Sequence, residues 1–397
     1  MPFSDARSRL LGAVTPMAAE RVPIWEAAGR VLLEPLVADR MQPPFDRVMM
    51  DGFALRAAEW GRLSGFQVTG VGHAGQVAAL LPLGAGNCIE VMTGASLPLG
   101  SDCVVPIEQV ERRCGADIWF AADEPPQPGG FVHKAGSDVE SGRQVVLPGR
   151  LIGAREIGVA ASFGYSTLAV AKPPRIAIVA TGDELVSIDA RPLPHQIRQS
   201  NGHAIAAALR VAGYPAGGVT LLGDDEVVAA RVLDGLMEVH DWLILSGAVS
   251  KGARDFVPET LERLGCRRLF HGVAQRPGKP MGCWIGPAGQ MLLALPGNPV
   301  SALTTLHVLA LAALDHAAGR SSGRTCQVIM EGSVPWHVRL TTHLPVLINA
   351  AGLAQAVPPS NSGDFAGLLS SSGCVTLPPM PERLQPLPQS YAFLPWL

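Results

Sequence analysis

From Ile176 onward, near-continuous apolar runs alternate with amphipathic stretches, and this alternation constrains the fold more than anything else in the sequence. The apolar runs are Ile176 to Ala180, Gly217 to Leu222, Trp242 to Leu245, a short one near Leu269, and Met291 to Leu295. Between and after them, helical patterns cover Gly202 to Ala212, Asp225 to Val239, Phe256 to Leu264 and Val300 to Ala318. A strand that is apolar on both sides must be covered on both sides, and helical crossovers are the connections that parallel strands require. The expectation is a central parallel α/β sandwich over residues 174–320.

The rest of the chain has a different texture. Short apolar runs broken by glycine and proline, such as Phe66 to Val71, Cys88 to Met92, Cys103 to Ile107 and Ile118 to Ala121, predict a small β domain over 43–136. Around it, 1–42 and 137–173 read as one discontinuous domain. It holds a first helix capped by Ser4, a second helical stretch from Trp25 to Gly29, a third through Glu156 to Phe163, and a strand from Thr167 to Ala171 that stops at Pro173-Pro174. After Arg320 the β texture returns in Gln327 to Met330, Leu344 to Ile348 and Cys374 to Leu377, giving a C-terminal β domain over 321–397. With 397 residues, such a division into several cores is expected. The fold class is multidomain α/β plus β.

A net charge of −3 and the lack of any basic run argue against nucleic-acid and membrane-surface partners. Asp5, Arg7 and Arg9 interrupt the N-terminus where a signal peptide would need an apolar core, and the apolar stretch Leu303 to Leu314 falls short of a bilayer span. Seven scattered cysteines without a C-x-x-C pair suggest reduced, mostly buried thiols and a cytoplasmic location. Only four of the 31 basic residues are lysines: Lys134, Lys172, Lys251 and Lys279. A lysine kept against that bias suggests a site suited to a compact ammonium.

Three central strands run into distinctive loops: Thr181-Gly182-Asp183-Glu184, Ser246-Gly247-Ala248-Val249-Ser250-Lys251-Gly252, and Pro296-Gly297-Asn298-Pro299. The carboxyl ends of parallel strands open on one sheet edge, where ligands bind, so the loops should meet. Each alone could be turn punctuation. Together, their glycines, amides and following helix ends suit a phosphate or other oxyanion, held by Thr181, Gly182, Ser246, Gly247, Ser250, Gly252, Gly297 and Asn298. Glu184, Asp224 and Asp255 lie nearby in sequence, and acids beside an anion imply a bridging Mg²⁺. Arg276-Pro277-Gly278-Lys279-Pro280 sets two cations on a rigid turn, either a solvated loop or, given the scarcity of lysine, a functional one with Lys279 at its tip.

Two further motifs, Phe45 to Ala54 and Met92 to Pro98, read by spacing as turns at Asp51-Gly52 and Thr93-Gly94. In their order along the chain, however, these motifs together with Gly136 to Asp138, Ala180 to Leu185, Ser200 to Gly202, Ser246 to Asp255, Pro277 to Pro280 and Pro296 to Ala302 resemble the molybdopterin molybdenumtransferase family, which includes bacterial MoeA proteins and the gephyrin E domain. The match spans nearly the whole chain.

The resemblance implies a central domain of the molybdopterin-binding type, in an elongated four-domain subunit that forms a homodimer. It further implies conversion of adenylylated molybdopterin and molybdate to molybdenum cofactor and AMP with Mg²⁺, in a site that combines segments of both chains. A molybdopterin adenylyltransferase is the implied delivery partner. Carried over by position, Asp51, Thr93, Glu184, Asp224 and Asp255 fall in the polar catalytic cluster, the last three as metal ligands. Ser301, Arg276, Lys279, Arg339 and Ser362 suit molybdate or the pterin phosphate. The chain has Ala248 where many members have a second glycine, Gly272 where lysine is frequent, and Arg276 at another position where lysine is common. Ala248 and Gly272 motivate a rival expectation, a non-catalytic pterin-binding carrier or scaffold. A second rival, an unrelated nucleotide-binding enzyme, would account for the loops but not for the N-terminal motifs.

Overall fold

A computed structural model of the chain describes residues 1–61, 65–121, 124–247, 256–321, 323–332, 337–380 and 390–397. These form two compact units: Met1–Glu34 with Pro148–Ile157 and Thr167–Leu397, and Pro35–Leu147 with Gly158–Ser166.

The larger unit opens with helix α1 (Phe3–Ala13) and is built around a six-stranded sheet. In chain order the elements of that layer are β1 (Ile176–Thr181), α2 (Asn201–Val211), β2 (Val219–Leu222), α3 (Glu226–Val239), β3 (Trp242–Ser246), α4 (Val257–Arg263), β4 (Arg267–His271), β5 (Gly282–Ile285) and β6 (Met291–Leu295). A long helix, α5 (Pro299–Ala317), follows. The strand order is β2-β1-β3-β6-β5-β4. The first four strands are mutually parallel, as expected, but β5 and β4 pair antiparallel at one edge. The sheet is therefore mixed. The run Gly282–Ile285 escaped the sequence reading because it is short and sits between a loop and Pro287.

Alternation along the strands supplies both cores. Ile176, Ile178, Ile244 and Leu293 pack with Leu209 of α2 and Leu306 and Leu309 of α5, while Val179, Leu243, Leu245 and Leu292 pack with Leu233 of α3 and Leu261 of α4. Each such side chain, fully buried, contributes about 1.5–3 kcal/mol. Helix α5 is 19 residues long and apolar enough to cross a bilayer, but 83% of it is buried, so its apolarity serves this core. Its middle turn, Leu306–Ala310, is π-helical.

The C-terminal part of the same unit is a second six-stranded sheet in the order Gln275–Arg276, Thr341–Ile348, Ala354–Ala356, Cys326–Glu331, Ser390–Pro395, Gly373–Leu377. Thr341–Ile348 also pairs with Gly373–Leu377, which closes five strands into a ring around Val346, Val375 and Phe393. Gln275–Arg276 runs parallel to Thr341–Thr342, which stitches the cationic turn to this sheet.

The smaller unit is a six-stranded sheet in the order Cys103–Pro106, Gly52–Leu55, Asn87–Val91, Phe66–Gly72, Asp117–Phe120, Val110–Cys114. The Asp51-Gly52 motif, expected as a turn, instead leads a buried strand paired on both sides. A Cβ on Gly52 would lie 2.1 Å from the carbonyl oxygen of Val105, so only glycine permits this pairing.

Two local expectations fail near the N-terminus. Pro2, not Ser4, precedes α1, and the Ser4 hydroxyl donates to Asp5 instead of capping. The stretch at Trp25 is only a 3-10 turn, Ile24–Glu26, capped by Ala27, with Gly29 at φ 79° following it. Five of the seven cysteines are buried, Cys114 and Cys326 being exposed.

Candidate functional site

The carboxyl ends of β1, β3 and β6 converge, as their loops predict, on one cavity of about 600 Å³ in the larger unit. Thr181, Gly182, Glu184, Asp224, Ser246, Gly247, Gly297 and Asn298 all line it. The loops are bonded to one another. Thr181 Oγ1 donates to the Ser246 carbonyl at 3.4 Å, and Ser246 Oγ donates to the Pro296 carbonyl at 3.3 Å. Gly247, at φ 105°, lies so close to β1 that a Cβ there would sit 2.4 Å from the Thr181 carbonyl oxygen.

Asn201 draws the ends together further. It begins α2, and its Nδ2 donates to Ser246 Oγ at 2.9 Å and to the Gly297 carbonyl at 2.6 Å. Its motif was noticed in the sequence, but nothing there showed that one side chain would span two strand ends. Arg198 was also missed. It lines the cavity and is the one cation that does so among the described residues.

Ser301 is buried in the first turn of α5, and Ser362 is brought in from the connection between strands Ala354–Ala356 and Gly373–Leu377. Asn298 Nδ2 donates to Ser362 Oγ at 3.0 Å, and the Val300 N–H donates to the Ser362 carbonyl at 3.2 Å. With Pro299 lacking an N–H, two leading positions of α5 are unavailable to an anion, so that helix end offers fewer donors than the loop sequence implies.

Arg276 and Lys279 are exposed, and Lys279 adjoins Pro280, which lines the cavity. Their turn is held from below by a buried relay. His343 bridges Thr376 Oγ1 and Gln275 Oε1 at 3.1 and 3.2 Å, and Gln275 Nε2 donates to the Gly278 carbonyl at 2.9 Å. Burial pushes His343 down to about 3, so it is neutral at ordinary pH. Arg339 is not gathered with the others and lines a separate hollow beside Pro2, Phe3 and Ser4. It precedes a strand whose start faces α1, a consequence of sheet order that spacing does not reveal.

Ser250, Gly252 and Asp255, like Ala248 and Lys251, lie outside the described residues. In the smaller unit, Asp51 and Thr93 form a clasp, with the Thr93 N–H and hydroxyl both donating to Asp51 Oδ1 at 2.6 and 2.7 Å. Those donors, the backbone N–H foremost, hold the Asp51 carboxyl below its ordinary range, so it is ionised at neutral pH.

Two carboxylates in a cavity that also presents amide and hydroxyl groups suit a hard cation that takes its remaining oxygens from water and a phosphate. No three of His, Cys, Asp and Glu come together as a metal cluster among the described residues. Glu184 and Asp224 are the two carboxylates that the cavity would offer to Mg²⁺.

The fold and cleft define an α/β protein with a cavity at its strand ends, and comparison with known proteins makes the class specific. Residues 1–164 match the MoeA N-terminal region (domain I and II), and residues 177–316 match a probable molybdopterin binding domain. A molybdopterin molybdenumtransferase of Synechocystis sp. is 38% identical over 355 residues, 88% of each chain. One from Synechococcus elongatus is 36% identical over 315 residues, 77% of each. Among solved structures, a molybdopterin biosynthesis MoeA protein from Pyrococcus horikosii superposes with a TM-score of 0.79 at 29% identity, over 100% of this chain and 98% of that one. The chain belongs to the molybdopterin molybdenumtransferase family, enzymes of molybdenum cofactor biosynthesis.

Proposed function

We propose that this chain inserts molybdenum, taking adenylylated molybdopterin and molybdate to molybdenum-bearing molybdopterin with release of AMP. The observation that carries the reading is the convergence of three bonded strand-end loops on one cleft that holds two carboxylates. Backbone amides of the Gly182 and Gly247 loops would receive the phosphate oxygens, and Arg198 and Lys279 would offset their charge. Glu184, Asp224 and Asp255 would hold Mg²⁺, which supplies Lewis-acid polarisation of the phosphoanhydride. Arg276, Ser301 and Ser362 are assigned to molybdate and the pterin phosphate, and Arg339, which lines the hollow beside α1, is left out of the assignment. In this reading the working form is a homodimer, in which Asp51 and Thr93 of one chain complete the cleft of the other, and a molybdopterin adenylyltransferase delivers the substrate.

Purified chain supplied with adenylylated molybdopterin, molybdate and Mg²⁺ should yield stoichiometric AMP and a product that activates a molybdenum-free apoenzyme. Binding of the substrate with no AMP and no active product would sink the insertase reading in favour of a carrier.

A further inference from the structure

The larger unit contains a second cavity, of about 470 Å³, that shares no lining residue with the cleft. Its size suits a small organic molecule. One wall is apolar, formed by Phe3 and Leu11 of α1, Val308 of α5 and Leu394. The other is cationic. Arg7 lies between Phe3 and Leu11 at four-residue spacing, on the same stripe of α1, and Arg320 and Arg324 face it.

One carboxylate, Asp315, answers these three guanidinium groups, leaving a surplus of two positive charges. Asp315 is also saturated. Tyr214 donates to it at 2.8 Å, and Arg324 holds both its oxygens at 2.7 and 2.9 Å. Arg320 reaches it only at 3.5 Å, and the buried Nε of Arg320 has no partner among the described residues. A guanidinium left this short of acceptors calls for an anion. The π-helical turn of α5, a distortion frequent at functional sites, carries His307 and Val308 into the lining of this cavity.

We propose that this cavity is a second ligand site, which takes a small organic anion with its phosphate or carboxylate on Arg7 and Arg320 and its apolar body against Leu11, Val308 and Leu394. The site does not depend on how the cleft is read, because the two share no residue.

Calorimetric titration of the full chain with phenyl phosphate tests it, with inorganic phosphate and phenol as the two halves of the probe. One site per chain that Arg7→Ala weakens is expected, separate from phosphate held in the cleft, and it should bind phenyl phosphate at least ~10-fold tighter than either half, since a charge-assisted contact and a buried ring each contribute at least that factor. Arg7→Ala and Arg320→Gln should each weaken it ~10-fold or more, and Asp224→Asn in the cleft should leave it unchanged. Arg7 is exposed, so its variant tests the site even if Arg320→Gln fails to fold. The proposal is overturned by inorganic phosphate binding as tightly as phenyl phosphate, by binding indifferent to Arg7→Ala, by loss of binding in Asp224→Asn, or by no saturable binding.

Discussion

Single residues hold this cleft by very close approach. At Gly247 a methyl group meets the Thr181 carbonyl in a backbone conformation that L side chains rarely adopt. Gly247→Ala should cost about 1–3 kcal/mol in urea unfolding and reduce AMP release by more than ~100-fold, because relief of the clash must push two strand ends apart. Full activity in that variant would show that the ends need not touch. Asn201→Ala should remove two hydrogen bonds worth roughly 1 kcal/mol each, with kcat/KM down about 10–100-fold as the β3 and β6 loops separate. An unchanged kcat/KM would deny Asn201 any positioning role. The glycine was legible as a candidate because Ser-Gly after an apolar strand is a recognisable pattern. The reach of Asn201 was not, since its partners lie 45 and 96 residues away.

At the scale of elements, two buried histidines make the packing sensitive to pH. His307 sits in the π turn of α5, with Nδ1 bonded to the Leu303 carbonyl and Nε2 accepting from the Leu397 N–H, and burial pushes it down to about 4. His343 occupies the strand beneath the Arg276 turn and is pushed down to about 3. Both folded values lie below the unfolded value near 6.5, so the unfolded chain takes up the proton first. Stability is therefore complete above about pH 7, falls as pH drops through 6.5, and stops falling below the folded values. Between pH 7 and pH 5 the loss should be on the order of 2 kcal/mol for each. Urea titrations at the two pH values check this, and His343→Gln should flatten part of the slope. Equal slopes in variant and wild type would locate the sensitivity elsewhere. The elements themselves were mostly visible in the sequence because strands apolar on both faces and long amphipathic helices are dictated by burial. Short edge strands such as β5 were not, since a four-residue run carries little periodicity.

At the scale of the whole molecule, the proposed shared site makes a specific demand. If Asp51 and Asp224 serve one cleft from different chains, mixing inactive Asp51→Ala with inactive Asp224→Ala should regenerate up to about a quarter of wild-type activity, the share expected when random reassortment leaves half the dimers mixed, each with one intact cleft. Activity that stays absent after verified subunit exchange would place both carboxylates in the same chain's site.

By itself the sequence determined the layers and the edge on which chemistry could occur, because hydrophobic burial and strand direction are local demands written in neighbouring residues. Its ordered motifs also pointed to the family. Only the tertiary structure decided that Gly52 leads a central strand, that Ser362 takes up the first N–H of α5, that Arg339 turns toward α1, and that Arg7 and Arg320 face one cavity. Each of these follows from sheet order and crossing chains, which bring residues tens to hundreds of positions apart to one place and leave no periodic trace.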